Sequence, residues 1–218
     1  MSGDGSVLIG IVGYSPVVDA YPLGPRLMAA LEKRFSAHGN VAVENMTWSP
    51  LHIVQRFQDE GAVRPERLVL MGAASVSEQP GRVRAFRWRG GSLPAQSLQE
   101  RVYEAVTGVV DIENTLMIGT HFAVWPDETF TVEIEFPADT FGRMVIADSR
   151  GTGADDLADE IGFAPATALA TLVKTAVAVA LRGEDADIAM EAKSAAGLVA
   201  VVPFIRNTIA ATGEGGRG

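Results

Sequence analysis

The sequence predicts an α/β fold: a three-layer α/β/α domain on a mostly parallel twisted sheet, with extra C-terminal helices. Three observations carry that expectation. Apolar runs bounded by glycine and proline alternate with segments of helical periodicity, and the order strand, helix, strand, helix, strand is that of a parallel sheet covered by crossover helices. The first run, Val7 to Val12, lacks polar alternation, which points to a strand covered on both faces. With 218 residues, 47% hydrophobic and 21% charged, the chain can offset the entropy of ordering one domain and is short for two.

Strand one is expected over 7–12, closed by Gly13 and Tyr14. In 26–37, Leu27, Leu31 and Phe35 recur every four residues with Met28 beside them, one stripe of a helix that His38, Gly39 and Asn40 end. A strand over 41–46 precedes a short helix over 51–60, with Ser49 at the N-cap and Pro50 at the first helical position. Residues 67–71 form an apolar strand, and 82–88 alternate as an edge or hairpin strand does. Helices are expected over 94–106 and 111–120, the second weakened by Gly119. Phe130, Val132, Ile134 and Phe136 alternate with Thr131, Glu133 and Glu135, the pattern of a half-exposed strand that Pro137 ends. The glycine-rich acidic stretch 149–162 reads as a solvent-facing insertion or a short helix. An Ala-rich helix over 164–182 turns Leu169, Leu172 and Val173 to the core and stops at Arg182 and Gly183. A second late helix is expected over 185–202, so that the domain spans 1–182 and 183–218 is a helical extension with a flexible tail.

Composition narrows the function classes. A net charge of −9 repels phosphate backbones and argues against nucleic acid as a partner. There is no cysteine, so disulfides, thiol nucleophiles and thiolate metal sites are excluded. Any metal must be held by carboxylate, imidazole or amide groups, and the imidazoles are His38, His52 and His121. The opening MSGDGSVLIGIVGYSP has an acidic residue where a signal peptide needs a basic flank, and Lys174 and Pro203 interrupt the longest apolar stretches. The expected location is therefore the cytoplasm, without a membrane span. Gly10, Gly13 and Gly24 do not have dinucleotide-fingerprint spacing, and Pro16 and Pro22 remove amides from the same loop. Walker A and G-x-S-x-G motifs are absent, and Ser75 and Ser77 have no paired histidine nearby in sequence.

Taken in order, three segments resemble the hydrogenase maturation proteases, endopeptidases that trim the C-terminus of a nickel-iron hydrogenase large subunit. The first is Val7 to Tyr14 followed by Gly24, Pro25, Arg26 and Leu27. The second is Arg67 to Ala73 followed by Gln79 to Val83, and the third is Trp125, Pro126 and Asp127 leading into Phe130 to Pro137. The resemblance covers roughly residues 7–182. It implies a peptidase acting on, or a protein binding, the C-terminal region of a nickel-iron hydrogenase-type large subunit, with nickel of the substrate or another divalent metal at the site. The departures fall on the implied ligands. The first-loop acidic position maps to Asp19 or Tyr21 depending on the direction of counting, Gly72 stands where an aspartate is expected, and the histidine region offers Asp111 and Glu113, with His121 several residues late. The candidate catalytic residues are Asp19 and Glu113, and the candidate metal ligands are Asp19, Asp111, Glu113 and His121.

Each candidate also has a structural reading. Asp19 lies beyond strand one, where ligands of open α/β sheets gather, but an Asx turn would also place it there. Asp111 and Glu113 flank a helix start, where capping and the dipole favour carboxylates. An imidazole near a helix C-terminus accounts for His121, and His38 and His52 read as structural. Glu133 and Glu135 share one strand face, and the resemblance singles out Glu135. Trp48, Trp88 and Trp125 serve as core or rim packing, or as an interaction surface. The alternative to a peptidase is a non-catalytic protein of the same fold that serves as a binding or assembly partner, docking through the cleft or through an apolar 195–205 surface. An unrelated small-molecule enzyme is disfavoured by the missing phosphate loop.

Overall fold

The computed structural model describes residues 5–59, 64–74, 79–107, 111–137 and 139–199. Its six-stranded sheet has the order β2-β1-β3-β5-β4-β6. The strands are β1 (Val7–Ile11), β2 (Val41–Asn45), β3 (Arg67–Ala74), β4 (Val83–Trp88), β5 (Glu128–Glu135) and β6 (Met190–Lys193). The first three and β5 are parallel; β4 runs against β5 and carries β6 parallel to itself. The helices are α1 (Pro25–Phe35), α2 (Pro50–Gln58), α3 (Ala95–Val106), α4 (Ile112–His121), α5 (Thr140–Ser149), α6 (Ala154–Ile161), α7 (Pro165–Arg182) and α8 (Ala195–Val199). The mixed α/β class with a mostly parallel sheet agrees with the sequence expectation.

Two apolar layers hold the sheet between helices. One joins Ile9, Ile11, Val69, Met71 and Val132 to α1, α5, α6 and α7, through side chains such as Leu27, Met144, Leu157 and Leu172. The other joins Leu8, Leu68 and Leu70 to α2, α3, α4 and α8. Alternate residues of β1 and β3 thus feed opposite layers, which is why their sequences are apolar without a break. By length and mean hydropathy 165–185 reaches what a bilayer crossing needs, despite Lys174, yet Leu172, Ala176 and Val179 of α7 are buried against the sheet as in a core helix.

Several expectations are corrected. Strand β4 is not an edge, because β6 pairs outside it, and two helices separate it from β5, so the two do not form a simple hairpin. The stretch expected as one helix over 185–202 contains β6 before α8; Met, Glu, Ala and Lys favour a helix in isolation, and pairing with β4 overrides that. Residues 200–205, and with them most of the proposed apolar surface, lie outside the described residues, as do Ser75 and Ser77. Residues 140–149 form α5, which the sequence reading missed, and 154–161 form the short helix α6. Ser49 holds the N-cap position of α2 without a capping bond, its hydroxyl reaching the Ala105 carbonyl at 3.5 Å. Gly119 does not weaken α4 by accident. The Trp125 indole lies across it, donating from Nε1 to the Leu116 carbonyl at 3.0 Å, and a Cβ there would come within 2.0 Å of the ring.

Candidate functional site: the crevice between β1 and β3

Helix α1 leads from β1 to β2 on one face, and α2 leads from β2 back past β1 to β3 on the other. The chain therefore reverses direction between β1 and β3, and in open α/β sheets ligands bind beyond the strand ends at such a point. The last rung joining the two is Val12 N–H to the Met71 carbonyl at 2.7 Å. Past it β1 turns away at Gly13, whose φ of 74° suits glycine, while β3 continues to Ala74. The parting leaves a crevice of about 610 Å³ whose lining includes Gly13, Tyr14, Thr47, Ala73, Asp111 and Phe141. Tyr21 also faces it, its hydroxyl pKa pushed up to about 12 by burial.

Asp111 is the carboxylate of the crevice, and it is the N-cap of α4. Its Oδ1 accepts the Asn114 backbone N–H at 2.7 Å, which satisfies one of the open amides of the first helical turn. Burial raises its pKa, with the Asn114 amide opposing. Behind it, Asn114 and Arg101 lock α3 to α4: Arg101 donates to Glu104 at 2.7 Å and to Asn114 Oδ1 at 3.2 Å.

Gly72, where the family resemblance implies an aspartate ligand, lies within β3 opposite Glu133. A Cβ at Gly72 would stand 3.0 Å from the Ile112 Cβ, so the first residue of α4 fills the space that a side chain there would need. Glycine thus lets α4 approach the sheet, and the approach is what brings Asp111 to the crevice.

The polar face of β5 forms a second cluster. Thr131 and Glu133 are 0% and 1% exposed, so β5 is not the half-exposed strand its alternation suggested. Its polar groups face protein partners instead of water. Lys193 of β6 donates to both Glu133 oxygens at 2.6 and 2.8 Å, and the Thr131 hydroxyl donates to Oε1 at 2.6 Å. The same ammonium lies 3.6 Å from Glu113 and 4.4 Å over the Phe86 ring. Burial raises the Glu113 pKa, with Lys193 opposing and Asp111 and Glu133 adding to it. Glu135, which the resemblance singles out, faces Arg84 at 3.4 Å, and Arg84 also holds Glu191. Sequence reading missed Lys193 and Arg84, the cations that allow these carboxylates to be buried.

The other nominated residues lie elsewhere. Asp19 is exposed, forms an ion pair with Arg26, and lines a groove between α1 and α7 instead of the crevice. His121 closes α4, nine residues after Ile112 and so about 14 Å down the helix from the Asp111 end, and stacks edge-on against Phe122. His38 packs against Phe35. Of the tryptophans, Trp88 is in the core, Trp125 is half-buried over Gly119, and Trp48 is 45% exposed near Arg56.

A shared ion needs donors converging about 2 Å from one point. Asp111 and Glu113 are neighbours, but Asp19 and His121 do not join them, and among the described residues no group of three or more His, Asp or Glu is placed to hold a metal. The residues present do not fit the metal that the resemblance implies.

Two solved structures of one class, the hydrogenase maturation peptidases, are similar to this chain. One is the hydrogenase 3 maturation protease, 14% identical over 74% of this chain and 97% of that one, with a TM-score of 0.34. Another is the hydrogenase 2 maturation peptidase from Thaumarchaeota archaeon SCGC_AB-539-E09, 15% identical over 68% of this chain and 99% of that one, with a TM-score of 0.31. No family model matches the chain, and no curated protein does. At such identities and scores the likeness is distant, and the chemistry has to rest on this chain's own side chains.

Proposed function

We propose that this chain is a non-catalytic protein that serves as a binding or assembly partner, taking a segment of another protein into the crevice between β1 and β3. The observation that carries the reading is the state of α4's first turn: Asp111 is engaged in capping, and Ile112 fills the place where a ligand on residue 72 would project. What the crevice offers is an apolar and backbone-lined surface with aromatic edges at Tyr14, Tyr21 and Phe141, suited to holding a polypeptide and not to polarising a bond. The order of the sequence segments supplies the candidate segment, the C-terminal region of a nickel-iron hydrogenase-type large subunit.

A synthetic peptide of that region, titrated against isotope-labelled protein, is the test. Amide shifts at Gly13, Tyr14, Ala73 and Asp111, with the peptide mass unchanged after incubation with and without nickel, are the expected result. Nickel-dependent cleavage would restore the peptidase reading. No shift at any peptide concentration would remove the hydrogenase partner.

A further inference from the structure

A second groove, of about 630 Å³, runs between α1 and α7 on the face opposite α4, and its floor is apolar: Ala30 of α1 with Ala166, Leu169, Ala170 and Val173 of α7. Both helices run the same way. Helix α1 descends from the crevice end of the sheet after β1, and α7 ends beside the opposite edge, where Arg67 at the start of β3 donates to the Ala180 carbonyl at 2.7 Å.

The charges around the groove are distributed unevenly along it. At the upper end Asp19 and Arg26 cancel each other, and the first turn of α6, which begins at the groove-lining Ala154, adds Asp155 and Asp156. Arg34, eight residues or about 12 Å below Arg26, and Lys174 at mid-groove are cationic. All four of Asp155, Asp156, Arg34 and Lys174 are exposed, and among the described residues none has an ion-pair partner. The groove therefore carries two uncompensated negative charges above and two uncompensated positive charges below, in a chain whose overall charge of −9 otherwise opposes self-contact.

We propose that this groove binds a second copy of the chain about a two-fold axis, α7 antiparallel to its counterpart. A two-fold perpendicular to the helices lays the upper end of one groove on the lower end of the other. Asp155 and Asp156 of each copy then face Arg34 and Lys174 of its mate, while the apolar floors close on each other. A parallel arrangement would set like charges together. The antiparallel one satisfies both ends twice.

Sedimentation equilibrium tests this on the full chain. The expected particle has twice the 23.0 kDa chain mass, and its dimer dissociation constant rises as salt screens the paired charges. Ala170→Arg, at an exposed position where a folded monomer has room for it, places bulk and charge on the floor and gives a monomer with an unchanged urea midpoint. Arg34→Asp with Lys174→Asp weakens the dimer at least about tenfold, and adding Asp155→Lys with Asp156→Lys restores it. A wild-type monomer at every concentration overturns the proposal. So does a dimer indifferent to Ala170→Arg, or a four-fold charge swap that fails to restore association.

Discussion

Replacing Lys193 with methionine leaves the Glu133 carboxylate, 1% exposed, with only the Thr131 hydroxyl to stabilise its charge. Breaking a buried ion pair from one side costs about 3 to 5 kcal/mol, because the remaining charge keeps its desolvation penalty. The Lys193 side chain is 17% exposed, so water reaches part of the site and the lower end, about 3 kcal/mol, is expected. With a urea m-value of about 2.5 kcal/mol/M, the midpoint falls by roughly 1 M. The Lys193→Met/Glu133→Gln pair, which removes both charges, recovers most of the loss, to within about 1 kcal/mol of wild type. Equilibrium urea unfolding followed by tryptophan fluorescence measures all three proteins. A loss below about 0.5 kcal/mol for Lys193→Met, the magnitude of a solvated surface pair, would refute the claim that this cluster anchors β6 to the sheet.

Gly72→Ala drives a methyl against Ile112 and costs about 1 to 3 kcal/mol in the same assay, since neither β3 nor α4 can withdraw without disturbing a filled layer. Gly119→Ala is more severe, about 3 kcal/mol or more, because the Trp125 ring has to leave its hydrogen bond to Leu116; a shifted tryptophan emission maximum accompanies it. Asp111→Asn keeps a capping oxygen but cannot ionise. Because burial raises the folded-state pKa of Asp111 above its ordinary value of 3.8, the native form holds this proton more tightly than the unfolded chain does. Its contribution to stability is present below that value and is lost as pH rises through the folded pKa. The midpoint of Asp111→Asn minus that of wild type is expected to grow as pH is raised from below 3.8 toward neutrality. A constant difference counts against the burial of this carboxylate.

The fold was legible where one residue type carries one message. Unbroken apolar runs in β1 and β3 announce strands covered twice, and Leu27, Leu31 and Phe35 announce one buried helical stripe. The failures share a cause, which is that long-range partners changed the meaning of a local pattern. The alternation in β5 implied water on one face, but Lys193, 60 residues later, and Arg84, 51 residues earlier, replace the water. Residues 190–193 have helix-forming composition and become a strand because β4 offers an open edge. The site divided in the same way. Asp111 and Glu113 were found together from helix-start chemistry, whereas Asp19 was drawn into an ion pair with Arg26, seven residues on, which sequence spacing alone does not reveal.

Calorimetric titration of demetallated protein with nickel, manganese and zinc bears most directly on whether the crevice holds polypeptide or a metal ion. Heats equal to those of buffer dilution are expected for all three, because the donors nearest the crevice end are engaged by Asn114 N–H and Lys193. Stoichiometric binding of any of the three that disappears in Asp111→Asn or Glu113→Gln would contradict the reading and reinstate a metal centre.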